Sequence, residues 1–172
     1  VTFDPGGQVV AAIEAAGQLL IWDVATQTDP ALIAALAVPV RPLDLAISAD
    51  STLLAVVTET NELVLFDIRN LHNIQPVSTT SVADSFAMSV AFHPTQPIVA
   101  IGSADRTVSL WGCADPAKPS FLTRIDDAEG HQLPVAFHAH GPRLAPPGTD
   151  PHISIRNLAH PPLSPLHSRP LP

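Results

Sequence analysis

Apolar and polar residues alternate along this chain with a long, regular period. Short alternating stretches, in which apolar residues two apart share one face of a strand, recur four times. Each stretch ends 21 residues after an apolar start, and the four starts are 44, 45 and 45 residues apart. The starts and ends are Val1 and Trp22, Leu45 and Phe66, Val90 and Trp111, and Val135 and Arg156. The pattern predicts a repeat protein with four units.

The units agree position by position. When the first residue of each unit is offset 0, an alanine stands at offset 10 every time, at Ala11, Ala55, Ala100 and Ala145. Clusters of Pro, Gly, Asp and Ser, which are turn residues, occupy 4–7, 48–51, 93–96 and 138–141. Each unit therefore reads as strand, turn, strand, tight turn, alternating strand and a looser fourth strand. The fourth strands are predicted near 31–36, 74–78 and 120–124.

Four strands in a period of about 45 residues predict an all-β fold built from β-propeller blades. The strings VTFDPGGQVVAAIEAAGQLLIWDV and VAFHPTQPIVAIGSADRTVSLWGC resemble units of the WD-repeat propeller family. The resemblance covers about 1–158, with repeats at 1–44, 45–89, 90–134 and 135–158. The continuation at 114–119 is similar to bacterial-type WD-repeat arrays attached to signalling NTPases or helix-turn-helix proteins.

The resemblance implies a polar network inside each blade. Its members would be Ser103, Asp105 and Trp111 in the third unit, His131 and Asp150 in the fourth, and Trp22 and Asp23 in the first. Phe86 stands where the family places a histidine, and Arg156 replaces the last tryptophan. Because such networks stabilise only when every member is present, we expect the blades to depend mainly on apolar packing.

The C-terminal end of the pattern is weaker. Ten of the 19 prolines lie from Pro134 onward, and proline cannot donate to a sheet ladder. We expect a degenerate last blade and a Pro-rich, disordered tail at 159–172. The family closes its ring with about seven blades, so the sequence is expected to be part of a larger propeller whose remaining blades are missing. A four-bladed ring and a ring completed by two chains are the alternatives.

Charge and composition limit the classes of partner and the compartment that are expected for this chain. Eight Lys and Arg against 16 Asp and Glu give a net charge of -8, which argues against binding to nucleic acid. No apolar run reaches the length of a membrane-spanning helix. The single cysteine, Cys113, falls at an apolar position of the repeat and is expected to pack as a small hydrophobic residue. A chain without disulfides is compatible with the cytoplasm, which is the expected compartment.

Signatures of catalysis or cofactor binding are weak. The sequence has no phosphate-binding loop, no nucleophile elbow and no paired-histidine zinc signature. His138 and His140 could share a strand face and bind a metal, but a third ligand is not evident. Asp126, Asp127 and Glu129 could coordinate calcium or form a solvated loop. The sequence predicts no cofactor and no metal.

A protein-binding scaffold is the expected function, because blades present loops from rigid strands. By resemblance, one rim is formed by the tight turns and by the loops that enter each blade. Its residues would be Arg41, Glu59, Asn61, Phe86, Met88, Asp105, Arg106, Asp126, Asp127 and Glu129. Phe86 could instead pack inward at the missing histidine site.

Two other functions remain open from the sequence. A propeller-type enzyme would place a metal or small-molecule site in the central channel, which requires polar residues at the starts of strands. The starts here, such as Leu45 and Val90, are apolar and disfavour it. A sensor domain fused to a signalling NTPase is the third possibility.

Overall fold

The computed structural model describes residues 1–14, 16–26, 29–38, 40–83, 85–126, 135–138, 143–145, 152–157 and 165–170. Within these ranges all regular structure is β-strand. The strands form four antiparallel sheets of four strands each. The predicted all-β fold of four-stranded blades is therefore confirmed.

Each sheet is formed by four consecutive strands. The first contains β1 (Thr2–Phe3), β2 (Val9–Ile13), β3 (Gln18–Asp23) and β4 (Ala31–Ala37). The second contains β5 (Pro42–Ile47), β6 (Leu53–Thr58), β7 (Glu62–Asp67) and β8 (Gln75–Ser81). The third contains β9 (Ala87–Phe92), β10 (Ile98–Ser103), β11 (Val108–Gly112) and β12 (Ser120–Ile125). The fourth contains β13 (Ala136–Phe137), β14 (Arg143–Ala145), β15 (His152–Asn157) and β16 (Pro165–Pro170).

The sheets are arranged side by side with their first strands together. β5 packs against β1 on one side and β9 on the other, and β9 in turn contacts β13. The fourth strands lie at the opposite end of each sheet. This is the radial order of propeller blades, with inner strands around an axis and outer strands at the periphery.

The observed strand bounds correct one part of the predicted register. β5 and β9 begin at Pro42 and Ala87, three residues before the motif starts Leu45 and Val90. In the sequence, each repeat is recognised from its first regularly spaced apolar residue. In the structure, the strand begins earlier, because the residues just before that position also pair with the next strand. The repeat boundaries at 44/45 and 89/90 therefore fall inside the inner strands.

The core consists of layers between neighbouring sheets. On one face of the second sheet, Leu54 and Val56 pack in a buried cluster with Ala11, Leu19 and Ile21 of the first sheet. On its other face, residues one position further along each strand pack against the third sheet in a second cluster. That cluster includes Ala55, Val57, Leu63, Leu65, Val99 and Ile101. Alternation along each strand thus gives the second sheet two apolar faces, one for each neighbouring sheet.

One face of the first sheet differs from its equivalents. Val10 and Ala12 stand at the offsets of Leu54 and Val56, yet both are only half-buried, whereas Leu54 and Val56 are fully buried. Phe3 is 62% exposed, although its equivalents Phe92 and Phe137 pack against clusters shared with the preceding sheet. We call the side of the first sheet that carries Phe3, Val10, Ala12, Leu20 and Trp22 the open face. Its residues have the character of a core but no neighbouring sheet among the described residues.

The fourth sheet has two short strands, because β13 has two residues and β14 three. Its outer strand β16 lies at 165–170 and pairs with β15. The sequence predicts a disordered tail at 159–172, and for 165–170 the structure has a strand instead. Prolines at the two ends of β16 did not prevent this, which agrees with the tolerance of outer strands for proline.

Candidate functional site

The loops that enter the blades and the tight turns lie at one end of the molecule, which we call the upper rim. Equivalent backbone hydrogen bonds connect them in two blades. The Glu59 N–H donates to the Arg41 carbonyl at 3.0 Å, and the Ala104 N–H donates to the Phe86 carbonyl at 2.9 Å. In each of these two blades the entering loop is therefore held against the tight turn of the same blade.

Phe86 and Met88 differ in exposure. Phe86 is 58% exposed, and Met88, in β9, is partly buried. The loop that carries Phe86 is held at its carbonyl by the tight turn of its own blade. Phe86 therefore does not fill the missing histidine site, because most of its side chain is exposed at the surface.

Two rim residues also shape the backbone. Asn61 and Arg106 have positive φ values of 64° and 68° at the offset where the first unit has Gly17. The Asn61 side-chain oxygen accepts a hydrogen bond from the Ala87 N–H at 3.3 Å, so it ties the turn to the start of β9. Asparagine tolerates this conformation better than arginine does. Asn61 thus has a structural role that its sequence position does not reveal.

Replacing Arg106 by glycine should raise the free energy of unfolding by about 1 kcal/mol, because glycine adopts the left-handed conformation without steric cost. Chemical denaturation would measure the change. The matched control is Gly17→Ala, which should lower stability by a similar amount at the equivalent turn, where φ is 86°. A destabilised Arg106→Gly variant would show that the arginine side chain itself stabilises the turn.

The structure describes only one residue of the acidic part of the predicted rim. Asp126 follows β12 and is exposed. Asp127 and Glu129, together with the predicted network residues His131 and Asp150, lie outside the described residues. Their proximity to the rest of the upper rim therefore stays a prediction.

The polar network of the third blade has a different composition from the one that the resemblance implies. The Trp111 indole N–H donates to Ser109 Oγ at 3.0 Å, and the Ser109 hydroxyl donates to the Val82 carbonyl at 3.4 Å. Ser103 is not part of this chain of hydrogen bonds. Ser109 and Trp111 are two residues apart on one strand face, so the contact is local.

Asp105 and Ser103 form a separate group at the tight turn. Asp105 accepts hydrogen bonds from the Thr107 N–H and hydroxyl at 3.0 and 2.7 Å. Burial acts to raise the pKa of Asp105, but the hydroxyls of Thr107 and Ser103 outweigh it and the pKa is lowered. The Ser103 oxygen is buried and makes no hydrogen bond of normal geometry.

The predicted Trp-Asp pair of the first blade has no equivalent network among the described residues. Trp22 lies on the open face and is partly buried. Asp23 accepts a hydrogen bond from the Ala25 N–H at 2.9 Å and is exposed. Asp23 therefore caps the turn that follows β3.

A series of buried polar residues at offset 3 is the feature that sequence analysis missed. Asp4 accepts hydrogen bonds from the N–H groups of Gly6, Gln8 and Val9 at 3.0, 2.7 and 2.7 Å. At the same offset, Ser48 accepts from the N–H groups of Thr52 and Leu53, and His93 Nδ1 accepts from those of Thr95 and Gln96. Each side chain closes the first turn of its blade. The recurrence of a polar residue directly after an apolar strand was the available signal.

His93 also connects two blades. It is 4% exposed, and its ring makes an edge contact with Phe137 of the fourth sheet at a centroid distance of 5.0 Å. Because Nδ1 accepts two N–H groups, the neutral ring carries its proton on Nε2, which has no hydrogen-bond partner. Burial lowers the pKa of His93, since the charged form loses hydration.

The inner strands carry two polar side chains that join neighbouring blades. Asp44 Oδ2 accepts a hydrogen bond from the Val90 N–H at 2.9 Å, and Ser89 Oγ accepts one from the Val135 N–H at 3.0 Å. Both residues stand one position before a motif start. Burial raises the pKa of Asp44, although the N–H groups of Val90 and Leu45 oppose this shift. Inner strands are therefore not purely apolar, but their polar groups hold the blades together.

A groove of about 610 Å³ opens at the end of the molecule opposite the upper rim, between the first turns of the second and third blades. Its ionisable lining consists of Asp50, His93 and Cys113. Cys113 is buried as predicted, and burial raises the pKa of its thiol to about 11, so the thiol is neutral. The described part of the chain contains no cluster of three metal-ligating side chains. It also contains no helix long and apolar enough to cross a membrane.

Comparison with known proteins identifies one unit directly. Residues 75–112 match the WD40 family model, described as WD domain, G-beta repeat. No curated protein matches the chain. The matched segment begins with β8, the outer strand of the second sheet, and continues through β9, β10 and β11 of the third. The repeat recognised in sequence therefore joins two blades.

Proposed function

We propose that this WD-repeat chain is a non-catalytic scaffold that binds a protein partner through its upper rim. The observation that carries the proposal is Phe86, a large aromatic side chain that is 58% exposed on a loop fixed by a backbone hydrogen bond. Aromatic and arginine side chains are enriched among residues that dominate protein interfaces. Phe86 and Arg106 supply both types on one rim.

The local chemistry favours a protein over a small ligand or a nucleic acid. Besides Phe86, the rim presents charges of both signs, with exposed Arg41, Glu59, Asp105 and Arg106. An apolar anchor and mixed charges on one surface are the residue types found in the core and rim of a protein interface. The net charge of -8 opposes a polyanionic partner.

The open face supports the further proposal that these blades belong to a larger propeller. Phe3 and Val10 occupy offsets that are packed against a preceding sheet elsewhere in the chain. A further blade would cover this face in the same way. We also place the protein among cytoplasmic bacterial regulatory or signalling proteins, for which the resemblance of 114–119 to bacterial WD-repeat arrays is the support.

Substituting Phe86 by aspartate should abolish partner capture, because loss of one aromatic anchor costs about 2 kcal/mol or more, which is about 30-fold in affinity. Affinity purification from the native cells, with quantitative mass spectrometry, would measure it. The matched control is Phe121→Asp, a residue 54% exposed on the outer strand β12.

Proteins retained by the parent chain and by Phe121→Asp, but depleted at least about tenfold with Phe86→Asp, would support the rim as the binding surface. Equal capture by all three chains would refute it. Circular dichroism must show that both variants keep the β-sheet spectrum.

A further inference from the structure

The groove between the first turns of the second and third blades lacks a bond that joins the first turns of the first two blades. There, the Ser51 hydroxyl donates to Asp4 Oδ2 at 3.3 Å. One repeat later, Ser48 stands at the offset of Asp4 and Gln96 at the offset of Ser51. The Ser48 hydroxyl donates instead to Asp50 Oδ1 within its own turn, at 2.6 Å. The two turns are therefore not joined, and the groove lies between them.

The walls of the groove are held in place by backbone contacts. The loop between β11 and β12 forms one wall, where the Cys113 N–H donates to the Pro97 carbonyl at 2.7 Å. The Ser78 hydroxyl of β8 donates to the Pro116 carbonyl at 2.7 Å, so the second blade is tied to the same loop. A volume of about 610 Å³ lies within the range of sites that hold a ligand. The groove is therefore formed before any partner arrives.

The lining of the groove favours a cation over an anion. Asp50 is its only charged residue at neutral pH, because burial lowers the pKa of His93 and raises that of the Cys113 thiol. Three lining residues are prolines, which have no N–H to donate to an anion. These are Pro94, Pro97 and Pro116.

Asp50 presents a fixed carboxylate with one oxygen still open. Its Oδ1 accepts hydrogen bonds from the Ser48 hydroxyl, the Thr52 N–H and the Thr52 hydroxyl at 2.6, 3.2 and 2.8 Å. Its Oδ2 accepts none from the residues that the structure describes. The bond from Ser48 and those from Thr52 lower the pKa of Asp50 although burial opposes them, so the group is ionised. One open oxygen suits the point charge of a lysine ammonium, whereas an arginine fork is best matched by two.

We propose that this groove binds a lysine-containing segment of a protein partner. The aliphatic stem of the lysine lies along the prolines, and its ammonium group binds Asp50 Oδ2. Charge complementarity supports this choice of partner, because the net charge of -8 attracts a basic segment. The groove lies opposite the upper rim, so the site does not depend on Phe86.

The experiment selects ligands from a phage-displayed library of random short peptides on the full 172-residue chain. Enriched peptides should contain a lysine beside apolar residues. Calorimetry with one synthetic peptide of that sequence should show binding to Asp50→Asn at least about tenfold weaker, since asparagine keeps the Oδ1 acceptor but has no charge. The matched control is Asp115→Asn, in the wall loop but outside the lining, which should bind the peptide normally.

A second pair of variants tests the groove itself rather than its charge. Ala114 is exposed and lines the groove, so Ala114→Phe should fill the space and block the peptide. Ala117→Phe places the same ring at an exposed position of the same loop that does not line the groove, and should leave binding unchanged. Circular dichroism must show the same β-sheet spectrum for all four variants.

Three results would overturn the proposal. The first is a selection that yields no peptide, or peptides without lysine. The second is a peptide that binds Asp50→Asn or Ala114→Phe as tightly as the parent chain. The third is a peptide whose binding Phe86→Asp abolishes while Asp50→Asn leaves it intact, which would place the contact on the upper rim.

Discussion

Replacing Leu54 by alanine should lower the free energy of unfolding by about 3 kcal/mol. Leu54 lies in β6 and is fully buried. It packs against residues of the first sheet, in the layer between the first two blades. Truncation removes apolar contacts and leaves a cavity that rigid neighbouring strands cannot fill. Urea denaturation followed by circular dichroism would give the change.

The informative control compares two valines at the same offset. Val99 is fully buried against the second sheet, whereas Val10 is half-buried on the open face. Val99→Ala should cost about 2 kcal/mol and Val10→Ala less than about 1 kcal/mol. Equal losses would mean that the open face is covered in solution, and the packing described for the first sheet would then be incomplete.

Acidification should destabilise the chain through His93. Burial lowers the pKa of this imidazole in the folded state, so the unfolded chain binds the proton more readily. The stabilising contribution is therefore present above the ordinary histidine pKa of about 6.5 and is lost as pH falls below that value. Protonation would also place a hydrogen on Nδ1, where the Thr95 and Gln96 N–H groups already point.

Two variants separate the charge of His93 from its packing. His93→Asn keeps an acceptor for the turn, as Asp4 provides in the first blade, and should flatten the dependence of stability on pH between about 5 and 7. His93→Ala should lower stability by about 2 kcal/mol at neutral pH, because it removes the acceptor and the contact with Phe137. Denaturation curves at several pH values would show both effects. An unchanged pH dependence in His93→Asn would exclude His93 as the titrating group.

Periodicity was enough to predict the sheets. Apolar residues at offsets 9 and 11, such as Leu54 and Val56, must face one neighbour, because residues two apart share a strand face. The fourth strands were also located to within a few residues, since Ala31–Ala37 and Ser120–Ile125 overlap the predicted segments. These features depend on local sequence, which is why they could be predicted.

The polar contacts were harder to predict because they depend on which atoms meet after folding. The family resemblance pointed to Ser103 as the network member, yet Trp111 bonds to Ser109, its neighbour on the same strand face. His93 read as a turn residue, although its ring reaches the next blade. Asp44 lies just before the repeat motif, so no sequence pattern included it. In the structure it is part of β5, and its carboxylate accepts a hydrogen bond from the Val90 N–H of the next blade.

The overlap between repeat and blade has a consequence for how such a chain can gain or lose units. The matched segment 75–112 contains the fourth strand of one sheet, β8, and the first three strands of the next sheet, β9 to β11. Deletion of that segment would leave the first three strands of the second sheet, β5 to β7, followed by β12. These four strands could form one sheet, so the chain would have one sheet fewer and no incomplete sheet. Duplication of one period would likewise add one complete sheet. The number of blades can therefore change by one complete blade at a time, and the sequences at the two ends of the chain need not change.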